Sequence, residues 1–107
     1  MTSQEIAWVA GILEGEGHFR LSKRSKRKGG YPVVRLRMND KDVVERVARL
    51  FGVHVTGPYR QTITRSKSWG ASLHGSHAAS WMMTLYCLLG KRRRAKVKEC
   101  LDAWRVI

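Results

Sequence analysis

The side chains whose type and spacing most directly indicate chemistry are two glutamates, Glu14 and Glu16, separated by one glycine. Their carboxylates offer the oxygen ligands that hard divalent cations such as Mg²⁺ prefer. Apolar residues ahead of them recur at helical spacing, and Gly17 after them permits a sharp exit from a helix. The sequence therefore predicts a helix that starts at a cap on Thr2 or Ser3, runs to about Glu14 or Gly15 and ends beside two carboxylates.

This first predicted helix has two unequal faces. When its residues are placed at about 100° per residue, Ala7, Gly11 and Gly15 share one narrow strip. The broad opposite arc is apolar and suits a protein core. A glycine within a helix costs about 0.5–1 kcal/mol relative to alanine, so two on one strip indicate that another backbone approaches closely there. Incidental glycines near a helix end are the alternative interpretation.

Residues 9–17, with the sequence VAGILEGEG, resemble the signature helix of the LAGLIDADG homing endonucleases. The two acidic positions of the signature carry Glu14 and Glu16 in place of aspartate. In that family two such helices pack side by side, and the acid at the position of Glu16 holds a divalent metal against the scissile phosphate. A family member with one signature helix forms a homodimer to complete its site.

The resemblance implies roles for individual residues. Glu16 is expected to be catalytic and to bind the metal, Mg²⁺ or another divalent cation such as Mn²⁺. The dimer interface is expected to comprise Ala7, Gly11, Glu14 and Gly15, although Glu14 can instead have a purely structural role within its own subunit.

Lys91 is a second candidate for the chemistry, because it follows Gly90 between the third and fourth predicted helices. The family has a basic residue near the scissile phosphates at this junction, so the resemblance implies a catalytic role for Lys91. The alternative is that residues 91–94 form a solvated basic run, or only grip flanking phosphates.

Composition indicates one small domain, residues 1–107, with a polyanionic partner. Lys and Arg number 21 against eight Asp and Glu, for a formal net charge of +13, which favours double-stranded DNA as the partner. We expect no membrane partner and no small-molecule cofactor, because no apolar run of about 18 residues exists and the phosphate-binding glycine motifs are absent. Cys87 and Cys100 lie in apolar helical patterns, so we expect both to be reduced and buried, as in an intracellular protein.

The predicted element order is α-β-β-α-β-β-α-α, an α+β fold that the LAGLIDADG fold shares over nearly the whole chain. Strands are expected over residues 18–24, 31–39, 53–63 and 69–74, with an interruption near Gly57 and Pro58. The second helix is expected from Asp40 or Asp42 to Phe51. The third helix is expected to open at residues 75–76, and most of a set of its apolar residues are expected to face the core, namely Trp81, Met82, Leu85, Leu88 and Leu89. The resemblance implies that the four strands form an antiparallel, saddle-shaped sheet over DNA.

The alternating strand residues predict one apolar and one basic sheet face. In the first strand Phe19 and Leu21 point one way, and His18, Arg20 and Ser22 point the other. Candidate base-reading residues are Arg20, Arg35, Arg37, Asn39, Arg60 and His74, since arginine pairs well with guanine and asparagine with adenine. Candidate phosphate contacts are Lys23, Lys26, Arg27, Lys28, Arg65, Lys67, Arg92 and Arg93. Which parity of residues 59–64 faces DNA stays open.

Two functions are compatible with these features. The first is a homodimeric, magnesium-dependent endonuclease that cuts both strands of a long pseudo-palindromic DNA site. The second is a non-cleaving module of the same fold, either a DNA-binding regulator or an intron RNA splicing cofactor. A ribosome-associated basic protein would explain the charge but not the strip of Gly11 and Gly15 beside Glu16.

Overall fold

The computed structural model describes residues 1–23, 29–60 and 66–105, and the described chain has the predicted order of elements. The helices are α1 (Ser3–Glu16), α2 (Lys41–Phe51), α3 (Gly75–Leu85) and α4 (Lys91–Arg105), and a 3-10 turn over Tyr86–Leu88 joins the last two. The strands are β1 (Gly17–Ser22), β2 (Tyr31–Met38), β3 (Thr56–Arg60) and β4 (Lys67–His74).

The four strands form one antiparallel sheet in the order β1-β2-β4-β3. Phe19 of β1 lies opposite Val34, and Leu36 lies opposite Ala71, so these buried residues share one face. All four helices contribute to the core on that face, including Val9 and Leu13 of α1, which are fully buried. The other face carries the alternate strand residues, as the sequence pattern predicted.

Helix α1 begins with a capping box at Thr2. The Thr2 hydroxyl accepts from the Glu5 N–H at 3.1 Å, and the Glu5 carboxylate accepts from the Thr2 N–H at 2.8 Å. The backbone and side-chain hydrogen bonds with Thr2 lower the pKa of Glu5. Because the folded-state pKa is the lower one, this stabilisation is present at neutral pH and is lost as the pH falls through that pKa.

The exit from α1 requires the glycine at position 17. A Cβ atom there would lie 2.6 Å from Leu13 Cδ2 and 2.8 Å from the Leu13 carbonyl oxygen. The chain can therefore pass directly from the last turn of α1 into β1 only because Gly17 has no side chain. The sharp exit expected at Gly17 is confirmed, and α1 runs to Glu16, slightly beyond the predicted end at Glu14 or Gly15.

The end of β1 differs from the predicted strand in its last residue and in the exposure of one side chain. The strand ends at Ser22, and Arg24, to which it was expected to extend, lies outside the described residues. Ser22 was assigned to the exposed parity but is 6% exposed, because the backbone of Gly30 packs directly against it. The backbone of Gly30, just before β2, therefore covers Ser22, which strand alternation alone would leave exposed.

The segment after α3 corrects two further expectations. Cys87 was expected to be buried and is exposed, whereas Cys100 is fully buried as expected. Leu88 was assigned to the core and is 51% exposed. The physical reason is that the chain tightens into the 3-10 turn after Leu85, which changes the rotation per residue and ends the helical spacing. Within the described residues, no helix combines the length and the hydrophobicity needed to cross a membrane.

We predict that Thr2→Ala lowers the free energy of unfolding by about 1 kcal/mol, the usual cost of removing an N-cap side chain. Urea unfolding at one fixed protein concentration measures this difference. Ser3→Ala is the matched control, since Ser3 is exposed and lies outside the capping box. Equal losses for the two variants would contradict the assignment of the cap to Thr2.

Candidate active site and nucleic-acid interface

The strip of small residues on α1 lies outside the core of the subunit. Ala7, Gly11 and Gly15 are exposed, whereas Val9 and Leu13 on the opposite arc are fully buried. A Cβ atom built on Gly11 or on Gly15 meets nothing within 4 Å. The described part of the subunit therefore gives these glycines no packing reason to lack a side chain. The assignment of the strip to a dimer interface stays a prediction.

Glu16 is the last residue of α1 and is exposed at its C-terminal end. Among the described residues, Glu16 takes part in none of the ion pairs. Its carboxylate oxygens are therefore available to a ligand. The described part of one subunit contains no group of three or more His, Cys, Asp or Glu side chains that could hold a metal ion.

Glu14 has a different environment, because its carboxylate is bound to the start of α4. One carboxylate oxygen accepts a hydrogen bond from the Gly90 N–H, and the other lies 3.8 Å from Arg93 Nε. The carbonyl of Gly90 accepts from the Arg94 N–H at 2.9 Å, so Gly90 caps α4. A carboxylate at this position complements the positive end of the helix dipole. These contacts support the structural role that the sequence left open for Glu14.

Arg93 binds the C-terminal end of α1 in return. Its Nε donates to the Glu14 carbonyl at 3.2 Å, and another guanidinium nitrogen donates to the Gly17 carbonyl at 2.7 Å. The last turn of α1 has no basic residue of its own, so Arg93 supplies the positive charge that a helix C-terminus favours. The ends of α1 and α4 that carry Glu16 and Lys91 are thereby held together.

The basic residues at the start of α4 differ in their exposure and in their contacts. Lys91 and Arg92 are exposed, whereas the Arg93 side chain is 17% exposed and bound to α1. The role of Arg93 in DNA binding stays a prediction, but its described contacts are all within the subunit. The sequence reasoning missed these contacts, and the available signal was the lack of a basic residue in the last turn of α1.

The open face of the sheet brings three predicted base-reading arginines together. Arg20, Arg35 and Arg37 line a shallow depression of about 240 Å³, together with His74 and neutral residues of β2, β3 and β4. The described residues that line it include no aspartate or glutamate. This surface is therefore strongly positive, as a surface that binds a polyanion would be.

The third strand adds an aromatic residue that the sequence reasoning missed. Thr56 lies opposite Gly70 and Tyr59 lies opposite Ser68, with a shift of register between them at Gly57 and Pro58. Because of this bulge, Thr56 and Tyr59 occupy the same face although they are three residues apart. The Arg37 guanidinium lies over the Tyr59 ring, 4.0 Å from its centroid. Glycine followed by proline inside a predicted strand was the signal for this bulge.

The pairing of β3 with β4 also shows which way the first two of residues 59–64 face. Tyr59 is on the basic face, whereas Arg60 lies opposite Lys67, on the alternate parity. Residues 61–64 lie outside the described residues. A hydrogen bond with the Thr56 hydroxyl, together with the nearby positive charge of Arg37, lowers the pKa of the Tyr59 phenol.

The remaining predicted contacts fall into two groups. Lys23, Asn39, Arg60, Lys67 and Arg92 are exposed and free of steric cover. Lys26, Arg27, Lys28 and Arg65 lie outside the described residues. Arg60 and Lys67 pair with each other on the strand parity opposite to that of Arg37, so the register does not turn them toward the basic face.

We predict that Arg93→Ala lowers the free energy of unfolding by about 2 kcal/mol, because two carbonyls lose a charged donor. Denaturant unfolding gives the difference, and Arg92→Ala is the matched control because Arg92 is the exposed neighbouring residue. A change of less than about 0.5 kcal/mol is expected for the control. A similar small change for Arg93→Ala would show that the contact between α1 and α4 does not stabilise the fold.

Comparison with known proteins identifies relatives by structure and not by sequence. No family model matches the chain, and no curated protein matches it. The homing endonuclease I-CvuI, solved in complex with the I-CreI target, matches 92% of this chain with a TM-score of 0.65 and 15% identity. The archaeal intron-encoded homing endonuclease I-Vdi141I, solved with DNA, matches 94% with a TM-score of 0.65 and 14% identity. The I-LtrWI LAGLIDADG homing endonuclease, bound to target DNA, matches 85% with a TM-score of 0.57 and 17% identity.

This chain matches a different fraction of the length of each structural neighbour. The chain spans 64% of the I-CvuI chain, 67% of the I-Vdi141I chain and 33% of the I-LtrWI chain. The element order, the four-stranded antiparallel sheet and the placement of the signature helix agree with the resemblance found in residues 9–17. This chain has the fold of the LAGLIDADG homing endonucleases.

Proposed function

We propose that the chain is a site-specific DNA endonuclease that acts as a homodimer and requires a divalent cation, Mg²⁺ or Mn²⁺. The observation that carries this proposal is the position of Glu16. Its exposed carboxylate ends a helix whose open strip of Gly11 and Gly15 has no packing partner among the described residues. The same helix end adjoins a sheet face that carries three arginines.

The strip supports a dimer in which two α1 helices touch through their backbones. Glycine positions allow two helices to approach more closely than the usual 8–10 Å or so between helix axes. A second copy would cover Gly11 and Gly15 and would bring a second Glu16 to the same end of the helix pair. A dimer would also join two basic sheet faces into one surface long enough for an extended DNA site.

The residues at the end of α1 fit a divalent cation in their chemistry. Glu16 offers oxygen ligands, and the matching carboxylate of the second subunit would add to them, so that Glu16 from each subunit would hold the metal. When bound, Mg²⁺ supplies a bound water of lowered pKa and stabilises negative charge on phosphate. Lys91 would place a positive charge near the same phosphates, since Glu14 holds the adjacent Gly90 against α1.

Two sets of basic residues would bind DNA, one through base edges and the other through phosphates. Arg20, Arg35 and Arg37 on the open face would meet base edges in the major groove. Other exposed cations, among them Lys23, Lys67 and Arg92, would contact phosphates and set the salt dependence of affinity. Because its partner is DNA, we expect the protein to act in the cell or organelle that holds its target.

A non-cleaving binding module is the second candidate, as a regulator on DNA or a cofactor in splicing of intron RNA. It is favoured by the two glutamates at positions where the family signature has aspartate, because each moves its carboxylate by one methylene. The two candidates share the basic face and differ in one property, namely hydrolysis of DNA in the presence of a divalent cation.

We predict that Glu16→Gln reduces cleavage of a plasmid carrying the native target by about 100-fold or more, the usual scale for losing an electrostatic contact to the transition state. Cleavage is measured with and without Mg²⁺, and binding of the same DNA is measured by gel shift without the metal. Binding should be retained because Glu16 is acidic and contributes no attraction to phosphate.

Glu45→Gln is the control for this experiment, because Glu45 is an exposed glutamate on α2. It should cleave as the wild type does. Equal cleavage by the wild type and Glu16→Gln would overturn the metal-binding role of Glu16. Sequence-selective binding by a wild type that never cleaves would instead establish the second candidate.

We predict that Gly11→Leu leaves the subunit folded but weakens the dimer. The space over Gly11 is open within the subunit, whereas a leucine would hold the second helix away. The dissociation constant of the dimer should rise at least about tenfold, or about 1.4 kcal/mol, as measured by analytical ultracentrifugation. Ala95→Leu, which adds the same side chain to an exposed position of α4, should leave the dimer unchanged. A monomeric wild type at micromolar concentration, with and without DNA, would refute the homodimer.

A further inference from the structure

We propose that Tyr59 is the positioning residue for Arg37, and that Arg37, held over the Tyr59 ring, recognises one guanine in each half of the DNA site. This inference rests on the proposed DNA-binding function. Beyond that function, Arg37 would be the arginine of the basic face with a fixed orientation. Guanine would be the base that it contacts, and Tyr59 would be the residue that orients it.

The first observation is the contact itself. The Arg37 guanidinium carbon lies 4.0 Å from the centroid of the Tyr59 ring, well within the distance at which a cation is attracted to an aromatic face. A guanidinium held over an aromatic face is attracted to the ring and loses part of its rotational freedom. The donor fork of Arg37 is thereby oriented before any nucleic acid is bound.

The second observation is that the chain builds the position of Tyr59 by a bulge. Regular alternation would place Tyr59 on the face opposite Thr56, but the shift of register at Gly57 returns it to the basic face. Gly57 has φ of +113°, and a Cβ there would lie 2.9 Å from the Ser68 carbonyl oxygen. Gly70 lies opposite Thr56, and a Cβ there would lie 3.0 Å from Thr56 Oγ1, so Gly70 leaves room for the Thr56 side chain at the start of the bulge.

The third observation is a difference among the arginines of the open face. Among the described residues, Arg37 is the arginine of this face that stacks on a ring, whereas Arg20 and Arg35 do not. Other described cation–ring pairs lie elsewhere, such as Arg46 over Trp8, which joins α2 to α1. In the described ion pairs no carboxylate is bound to Arg37. Its orientation is therefore set by Tyr59 and not by an acidic partner.

The choice of guanine follows from the arrangement of the N–H donors on the arginine side chain. Two parallel N–H groups of an arginine match the O6 and N7 acceptors that guanine presents in the major groove. The ring of Tyr59 restricts rotation of the fork, which lowers the entropy lost when both hydrogen bonds form. An arginine without such a support can turn toward phosphates or other bases, so Tyr59 should sharpen base preference more than it raises total affinity.

The test is selection of bound sites from a randomised duplex library, carried out without divalent cation so that no DNA is cut. Arg37→Ala first identifies the two symmetry-related positions at which guanine preference disappears. Tyr59→Leu, which keeps apolar bulk but has no aromatic face, should reduce guanine preference at those positions by about tenfold. Tyr59→Phe keeps the ring and should retain most of the preference. Competition with phosphate-rich nonspecific DNA should change much less.

Tyr31→Leu is the matched control, because Tyr31 lies on the same face of β2 but against His74, with ring centroids 6.2 Å apart. It should keep the guanine preference at the positions assigned to Arg37. Full preference in Tyr59→Leu, or a loss in Tyr31→Leu equal to that in Tyr59→Leu, would overturn the role of Tyr59. Guanine preference that survives Arg37→Ala everywhere would overturn the role of Arg37. A wild type that selects no sequence at all would contradict the proposed function itself.

Discussion

The contact between the end of α1 and the start of α4 is the constraint on which the candidate site depends. The Glu14 carboxylate accepts from the N–H of Gly90, which caps α4, and the Arg93 guanidinium donates to the carbonyls of Glu14 in the last turn of α1 and of Gly17 just after it. Each side chain satisfies backbone groups that a helix end leaves unpaired. Glu16 and Lys91 lie on these two ends, so their relative position is fixed by neighbours and does not depend on their own contacts.

The two faces of α1 differ in what they contact within the subunit. Val9 and Leu13 are buried in the subunit, and Gly17 allows the chain to enter the sheet without a connecting loop. The opposite strip gains nothing from the described fold of the subunit, although glycine lowers helix stability. A second copy of the strip would explain that cost. Within this account the same helix anchors the sheet, meets its partner and carries the acid.

Much of the fold followed from local patterns, and the exceptions have physical causes. Apolar spacing and glycine positions predicted the order of elements, the capped start of α1 and the faces of β1 and β2. Leu88 was misassigned because a 3-10 turn changes the helical phase. Tyr59 was missed because a bulge reverses strand parity. The contacts of Glu14 with Gly90 and Arg93 join residues more than 70 positions apart, and no local pattern specifies such a pair.

The central claim is that two copies of α1 meet along their glycine strips beside Glu16. A disulfide formed between two Gly15→Cys subunits tests it most directly, since a disulfide requires Cα atoms within about 7 Å. The experiment uses a Cys87→Ser background, because Cys87 is exposed, and Ala95→Cys in the same background as the control. Mild oxidation should convert Gly15→Cys to a covalent dimer on a non-reducing gel and leave Ala95→Cys monomeric. A Gly15→Cys protein that stays monomeric under oxidation, with and without DNA, would contradict the account.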